Sequence, residues 1–202
     1  MLKIGILAST NGTDLPYLFD GGIEGVSFEC LISNKKECGA MQKASSRGVL
    51  TYFISAKGKS REEFDQEAVN ILKEKNVDLV LLVGFMRIIS PIFVQAFKNK
   101  ILNVHPSLLP SFAGGMDSNV HEDVLSKGCK VSGATVHFVS EEVDEGAILL
   151  QEVTKIKNND TADTLKARVQ KLEQEMLKSA IIAFRDDKVY FENNIAKIKN
   201  DN

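Results

Sequence analysis

Three polar residues, Asn103, His105 and Asp144, have the side chains that chemistry at a carbonyl group requires. An amide donates a hydrogen bond to an oxyanion, and an imidazole supplies a proton or a positive charge. Asn103 and His105 are two residues apart, so both side chains point to the same face if this stretch is a β-strand. The pairing favours a site that stabilises a tetrahedral oxyanion. The alternative is a structural histidine that bonds to a loop carbonyl.

Asp144 lies in an acidic loop, 140–146, in which four carboxylates fall within five residues. Such a run is normally a solvated loop. Asp144 differs because it lies in a tight turn before Gly146, after a strand that we expect beside 100–105. We therefore expect Asp144 to reach His105 and to raise its pKa through the opposite charge.

The other two histidines, His121 and His137, have no short metal-ligand spacing with His105, so no metal is expected. His137 either faces the edge of the core or lines a cleft. The three cysteines are too scattered for a disulfide framework or a metal knuckle, which is typical of a reducing compartment.

The loop 9–13, S-T-N-G-T, leads from a predicted strand into a predicted helix. Backbone N–H groups at a helix N-terminus bind anions, and Gly12 is expected to let an oxyanion approach closely. The loop matches neither the dinucleotide pattern GxGxxG nor the triphosphate pattern GxxxxGK[ST]. An anion site and a simple turn before a capped helix remain equal alternatives. We expect the Asp14 side chain to cap that helix, with Pro16 in its first turn.

Strands and helices must position these residues, and the sequence shows alternating signals for both. Apolar stretches rich in β-branched residues predict parallel strands at 2–9, 26–33, 49–54, 78–83 and 100–105. Helices are predicted between them, and Ser60 with Glu63 forms a capping box at the start of one. This order predicts an α/β fold with a doubly wound, mostly parallel sheet, whose ligands bind at the carboxyl ends of the strands.

The pattern changes after this region. Two β-rich segments, 130–139 and 147–157, predict a mixed or antiparallel C-terminal extension of the sheet. A long amphipathic C-terminal helix is predicted at 161–184. The polar residues 193–202 are expected to fray.

The composition is typical of a globular protein with one domain. The chain has 202 residues, of which 44% are hydrophobic and 26% charged. It lacks the apolar run of roughly 18 residues that a membrane span needs, and a net charge of -2 argues against nucleic acid as a partner. The N-terminus has no cleavable signal pattern, so a cytoplasmic location is expected.

Six motifs resemble the phosphoribosylglycinamide formyltransferase family in order and spacing, namely STNGTDL, GFMRIISP, NVHPSLLP, SNVHE, HFVSEEVDEG and RVQKLE. This folate-dependent family transfers the formyl group of 10-formyltetrahydrofolate to the amino group of glycinamide ribonucleotide in purine biosynthesis. The resemblance implies a Rossmann-like formyltransferase fold in a single domain, 1–202, with small-molecule substrates, no metal, and a monomeric or homodimeric state. It implies that 1–100 mainly binds the ribonucleotide phosphate, that 101–192 holds the catalytic and folate sites, and that 193–202 is a polar tail.

The resemblance also implies three groups of site residues. Asn103 and protonated His105 bind the oxyanion, while Asp144 holds His105 and helps to relay the proton, without a metal or a covalent intermediate. The ribonucleotide is implied to contact Gly12, Thr13, Asp14, Arg61, Pro106, His121 and Glu173. The folate is implied to contact Met86, Arg87, Ile88, Ile89, Asn103, Phe138, Val139, Ser140, Glu141, Val143 and Asp144.

Two features depart from the family pattern. Asp14 stands where the phosphate loop usually has Asn, and a carboxylate there repels phosphate unless it turns away to cap the helix. The stretch 112–118 is longer than the usual loop, so contacts expected from it are less well defined.

Three other functions are compatible with parts of the pattern. A formyltetrahydrofolate hydrolase shares the chemistry but usually carries an additional N-terminal domain, and here the first strand starts at Leu2. A methionyl-tRNA formyltransferase carries a C-terminal tRNA domain, for which this chain has neither the length nor a basic patch. A non-catalytic nucleotide-binding module gives no reason for Asn103, His105 and Asp144 to meet, so their distances discriminate.

Overall fold

The computed structural model describes residues 1–114 and 120–199. The chain divides into two compact units, Met1–Asn103 and a second unit that begins at Val104. Each unit has its own strands and helices.

Five strands run parallel in the first unit, namely β1 (Leu2–Leu7), β2 (Val26–Ser33), β3 (Leu50–Phe53), β4 (Leu79–Leu82) and β5 (Ile101–His105). Their spatial order is β3-β2-β1-β4-β5. The strand β4 is buried along its whole length, because its residues are all apolar and parallel sheets are covered on both faces. The last two residues of β5, Val104 and His105, belong to the second unit.

Four helices follow the strands of this unit, namely α1 (Leu15–Asp20), α2 (Gly39–Ser45), α3 (Arg61–Glu74) and α4 (Pro91–Ala96). The predicted capping box at the start of α3 is confirmed. Ser60 Oγ accepts the N–H of Glu63 at 3.1 Å, and Glu63 Oε2 accepts the N–H of Ser60 at 2.7 Å. Two of the free N–H groups at this helix end are therefore satisfied locally.

The start of α1 corrects the prediction for Asp14. Asp14 occupies the N-cap position, but its backbone is already helical, with φ -84° and ψ -17°, and its side chain makes no capping hydrogen bond. A capping side chain normally starts from extended backbone, from which it reaches the N–H groups of the first turn. Pro16 lies in that turn and has no N–H to offer. The prediction that Asp14 caps the helix through its side chain is wrong.

The second unit contains the antiparallel strands β6 (Val131–Phe138) and β7 (Ile148–Lys155), and β6 follows β5 in the strand order. The helix α6 (Ala162–Arg185) buries an apolar stripe and packs against β6. Its length and its Thr161 cap agree with the amphipathic pattern. The sequence patterns did not predict the shorter helix α5 (Val120–Ser126).

The C-terminal tail is ordered as a β-hairpin through residue 199. The strands β8 (Val189–Glu192) and β9 (Ile195–Ile198) pair antiparallel, and they are joined by two asparagines, Asn193 and Asn194, with φ 49° and 64°. Asparagine tolerates the positive φ that tight hairpin turns require. The expectation of a frayed tail is therefore wrong for 193–199, whereas 200–202 lie outside the described residues.

The predicted fold class is confirmed. The protein has a mostly parallel sheet with flanking helices, an antiparallel C-terminal part and a long C-terminal helix. In the first unit, the predicted residues Gly12, Thr13 and Asp14 follow β1 and Met86 to Ile89 follow β4, whereas Arg61 is the first residue of α3. Within the described ranges, no helix is both long enough and apolar enough to cross a membrane.

The hairpin makes an aromatic contact that can be tested. The rings of Phe191 and Phe138 lie 4.9 Å apart, and Phe138 is the last residue of β6. We expect Phe191→Ala to lower the free energy of unfolding by about 1–2 kcal/mol in urea denaturation. Tyr190→Ala is the control, because neighbouring strand residues face opposite sides and the two side chains have similar exposure. Equal losses in both variants would contradict a stabilising contact with Phe138.

Candidate active site

His105 is the last residue of β5 and is buried, with 7% of its surface exposed. Its Nδ1 lies 3.0 Å from Ser107 Oγ, and Ser107 Oγ donates to the Ser111 carbonyl at 2.6 Å. A hydroxyl has one proton and a carbonyl only accepts, so the Ser107 proton is used on Ser111. Ser107 therefore accepts from His105, and this network assigns a proton to Nδ1. Nε2 is left to face the site.

Asp144 faces that second nitrogen. Its Oδ2 lies 3.3 Å from His105 Nε2 and accepts the backbone N–H of Gly114 at 2.9 Å. The Asp144 backbone is left-handed, with φ 58°, in the loop that follows β6. The structure thus contains the expected contact between Asp144 and His105, and the loop that follows β5 helps to hold the carboxylate.

His137 is a third member of this cluster, which the sequence left undecided. Its Nε2 lies 3.7 Å from Asp144 Oδ1, and its Nδ1 donates to the Phe138 carbonyl at 3.0 Å. The usable signal was the position of His137 on a strand that runs into the acidic loop. Sequence spacing alone does not show that this strand ends beside the carboxylate.

Burial is the largest influence on the pKa values of these histidines. Removal of His105 from water lowers its pKa below the ordinary value, and the opposing charge of Asp144 has the smaller effect. The charge of Asp144 raises the pKa of His105 as expected, but desolvation is the larger effect and the net shift is downward. Burial also lowers the pKa of His137 and of His121. A lowered pKa makes the imidazolium of His105 a stronger acid, which suits a residue that must give up a proton.

Thr135 on β6 holds the segment that orients His105. Its hydroxyl donates to the Ser107 carbonyl at 2.7 Å and accepts the N–H of Leu109 at 3.0 Å. The Gln151 amide also donates to Thr135 Oγ1 at 3.0 Å. Thr135 is fully buried, so these bonds are made away from water. Thr135 on β6 thus fixes the position of Ser107, and Ser107 in turn orients the imidazole of His105.

Asn103 lies two residues before His105 on β5 and is half-buried. It is the last residue of the first unit, where it pairs in register with Leu82 of β4. Alternate strand residues share a face, so Asn103 and His105 point to the same side of β5. Pro106 follows directly and is half-buried.

The expected phosphate loop lies in the first unit, with Thr13 exposed and Gly12 buried. Gly12 has φ 56°, and a Cβ there would lie 2.6 Å from Leu15 Cδ1 and 2.9 Å from Ala40 Cβ. The missing side chain of Gly12 makes room for these protein atoms, and the expectation that a ligand approaches its backbone stays a prediction. A pocket of about 400 Å³ borders the loop and is lined by Ser9, Thr10, Asn11, Lys35, Glu37, Cys38 and Gly39.

The other expected ribonucleotide residues differ in burial. Arg61 is exposed at the start of α3 and pairs with Glu62 at 3.5 Å. In the second unit, His121 on α5 and Glu173 on α6 are buried, with 5% and 7% exposed. Within the described residues, the buried His121 Nδ1 has no hydrogen-bond partner.

The expected folate residues form one set in each unit. In the first unit, Met86 and Ile88 are 40% and 41% exposed, Ile89 is buried, and Arg87 lies over the Phe64 ring. In the second unit, Phe138 is buried, Val139 and Ser140 are half-buried, and Glu141 and Val143 are exposed. Each set includes exposed apolar side chains, namely Met86 and Ile88 in the first unit and Val143 in the second. Across residues 1–114 and 120–199, no group of three or more acidic, cysteine or histidine side chains could hold a metal ion.

The network around Thr135 yields a prediction. We expect Thr135→Val to lower the free energy of unfolding by about 2–4 kcal/mol, because several buried hydrogen bonds lose their shared partner. Ser132→Ala is the control on the same strand. Ser132 is buried, and its hydroxyl has no partner within the described part of the chain, so this change should cost less than about 0.5 kcal/mol. Urea denaturation measures both, and a neutral Thr135→Val would refute the role given to this hydroxyl.

A family profile, a sequence relative and a solved structure all match this chain over most of its length. The profile of the formyl transferase family matches residues 2–181. Phosphoribosylglycinamide formyltransferase of Haemophilus influenzae is 34% identical over 200 residues, which are 97% of this chain and 93% of that protein. The crystal structure of glycinamide ribonucleotide transformylase 1 from Symbiobacterium toebii has a TM-score of 0.93 and 35% identity, with 99% of this chain and 95% of that chain covered.

Longer proteins match as well. Trifunctional purine biosynthetic protein adenosine-3 of Homo sapiens is 43% identical over 183 residues, which are 89% of this chain. The chain spans only 18% of the length of that protein and of its chicken counterpart. The family profile nevertheless covers most of this sequence, and the fold agrees with it. The chain therefore belongs to the formyl transferase family.

Proposed function

We propose that this protein transfers the formyl group of 10-formyltetrahydrofolate to the amino group of glycinamide ribonucleotide. The observation that carries the proposal is the buried pair of His105 Nε2 and Asp144 Oδ2, 3.3 Å apart, at the end of the strand that also holds Asn103. Relatives named for this activity cover most of the chain and support the choice of substrates. A module without catalytic activity would not need a carboxylate in contact with a buried imidazole.

The charges that develop during the reaction match these groups. The amine attacks the formyl carbon and forms a new C–N bond, which creates an oxyanion and an ammonium. Asn103 donates a hydrogen bond to the oxyanion, and the imidazolium of His105 stabilises it through Nε2–H. Breakage of the bond between the formyl carbon and the folate nitrogen then needs a proton on that nitrogen.

Asp144 and His105 are proposed to move that proton. The Asp144 carboxylate favours the imidazolium while the oxyanion exists, and burial makes the same imidazolium a strong acid. The proton lost by the attacking ammonium replaces the one delivered to the leaving nitrogen, so the pair ends the cycle as it began. Glu173 is proposed to orient the amine, and the loop 12–14 to bind the phosphate.

One assay separates the candidate functions. Purified protein is given 10-formyltetrahydrofolate with and without glycinamide ribonucleotide, and tetrahydrofolate, formate and the formylated ribonucleotide are quantified. The proposal requires the formylated product and little formate. Formate without ribonucleotide would identify a hydrolase, and no turnover under either condition would favour a binding module.

The pH dependence of transfer tests the role of Asp144. We expect Asp144→Asn to lower the pKa of His105 further, because the charge that opposes burial is lost. Less imidazolium then remains at neutral and alkaline pH, so kcat falls most there and recovers partly in acid. Rates are measured over a range of about pH 5.5 to 9, which brackets the reference His pKa of about 6.5. Glu145→Gln, an exposed neighbour, should keep the wild-type profile; a parallel profile for Asp144→Asn would contradict the assigned role.

Binding of the two substrates tests Glu173. Removal of its charge is expected to weaken ribonucleotide binding by about tenfold, which corresponds to the loss of one charged hydrogen bond. Folate binding should remain nearly unchanged in Glu173→Gln. Calorimetric titration with each ligand measures this, with Glu175→Gln on the exposed side of α6 as the control. A loss confined to folate would show that the amine end has been wrongly assigned.

A further inference from the structure

A buried carboxylate outside the proposed catalytic group holds the segment 84–90 of the first unit. Asp65 on α3 is only 1% exposed, and its Oδ2 accepts the backbone N–H of Ser90. Ser90 is the N-cap residue of α4, and its own side chain makes no capping hydrogen bond. A residue of α3 therefore satisfies the N–H of the N-cap residue of α4, as a side chain at N3 does in a capping box.

The other end of this segment is fixed by the loop that follows β1. The Ser9 N–H donates to the Gly84 carbonyl at 3.0 Å, and Ser9 Oγ accepts the N–H of Met86 at 3.0 Å. A Cβ at Gly84 would lie 2.2 Å from Thr10 Oγ1, so the two loops are in close contact. The segment is thus held at one end by Ser9 and at the other by Asp65.

The residues between the two anchors present apolar side chains outward. Met86 and Ile88 are exposed, whereas Ile89 is buried. The Arg87 guanidinium lies 4.4 Å from the centre of the Phe64 ring, next to Asp65 on α3. The backbone of the segment is anchored while its apolar side chains remain available to a ligand.

Asp65 is not an obvious source of stability. Burial raises its pKa, and the hydrogen bonds from the Ser90 backbone and side chain and the charges of Arg87 and Arg61 oppose this effect without cancelling it. Within the described residues, Asp65 Oδ1 has no hydrogen-bond partner. A buried polar atom without a partner is destabilising, so a structural role alone does not account for a carboxylate here.

We infer that Asp65 is a positioning residue that holds 86–89 in the conformation that receives the folate ring. The inference rests on the proposed function, because it takes this segment as part of the folate site. The two anchors of the segment, Ser9 and Asp65, are expected to differ in which substrate they affect. Ser9 also belongs to the loop proposed to bind phosphate, whereas the hydrogen bond that Asp65 accepts comes from Ser90 at the end of the folate segment, so loss of this bond should be selective for folate.

Two substitutions of similar size provide the test. In Asp65→Asn the amide oxygen still accepts the Ser90 N–H, whereas Asp65→Leu cannot. We expect Asp65→Leu to raise KM for 10-formyltetrahydrofolate by about tenfold, as expected for the loss of one positioning hydrogen bond. KM for the ribonucleotide should stay within about twofold, and Asp65→Asn should resemble the wild type on the same scale. Amide hydrogen exchange across 86–90 should accelerate only in Asp65→Leu.

Asp78→Leu is the matched control, since Asp78 Oδ2 also accepts one backbone N–H, from Lys3 at 3.0 Å. It should leave both KM values unchanged. An unchanged folate KM in Asp65→Leu despite faster exchange overturns the inference, as does an equal rise in both KM values.

Calorimetric titration with 10-formyltetrahydrofolate keeps the inference separate from the proposed function. Selective loss of folate binding in Asp65→Leu supports the inference about Asp65 even if the wild type fails to formylate the ribonucleotide. Absent folate binding in the wild type overturns the inference.

Discussion

One hydroxyl determines how the imidazole of His105 is presented. Ser107 gives its proton to the Ser111 carbonyl and must therefore accept from His105 Nδ1. Nε2 is consequently directed at Asp144, and Thr135 fixes the Ser107 backbone from β6. The proposed chemistry depends on this chain of bonds, because a reversed ring or the other tautomer would turn Nε2 away or place its proton elsewhere.

Burial and charge act in opposite directions on this imidazole. Desolvation lowers the pKa of His105 and Asp144 raises it, with desolvation the larger effect. A site with only the charge would hold the proton too firmly to release it, and a site with only the burial would rarely carry it. The combination suits the proposed role of His105, which is to bind an oxyanion when protonated and then to deliver the proton.

Much of the fold could be predicted from periodicity and capping, because continuous apolar runs and the Ser60–Glu63 box are local signals. Errors arose where tertiary context decides. The Asn193–Asn194 turn converts a polar tail into a hairpin, and the helical backbone at Asp14 leaves its side chain without the expected capping bond. The sign of the His105 pKa shift depends on burial that sequence spacing does not measure. His137 was left undecided for the same reason, since its proximity to Asp144 is set by the packing of β6.

The most direct test of the account is the tautomer of His105, measured by ¹⁵N NMR of the imidazole nitrogens in the wild type and in Ser107→Ala. The account predicts that the neutral ring of the wild type carries its proton on Nδ1, the less common tautomer in solution, and that Ser107→Ala weakens this preference. Titration of the same signals should place protonation at Nε2. A neutral wild-type ring with its proton on Nε2, unchanged by Ser107→Ala, would contradict the proposed presentation of His105.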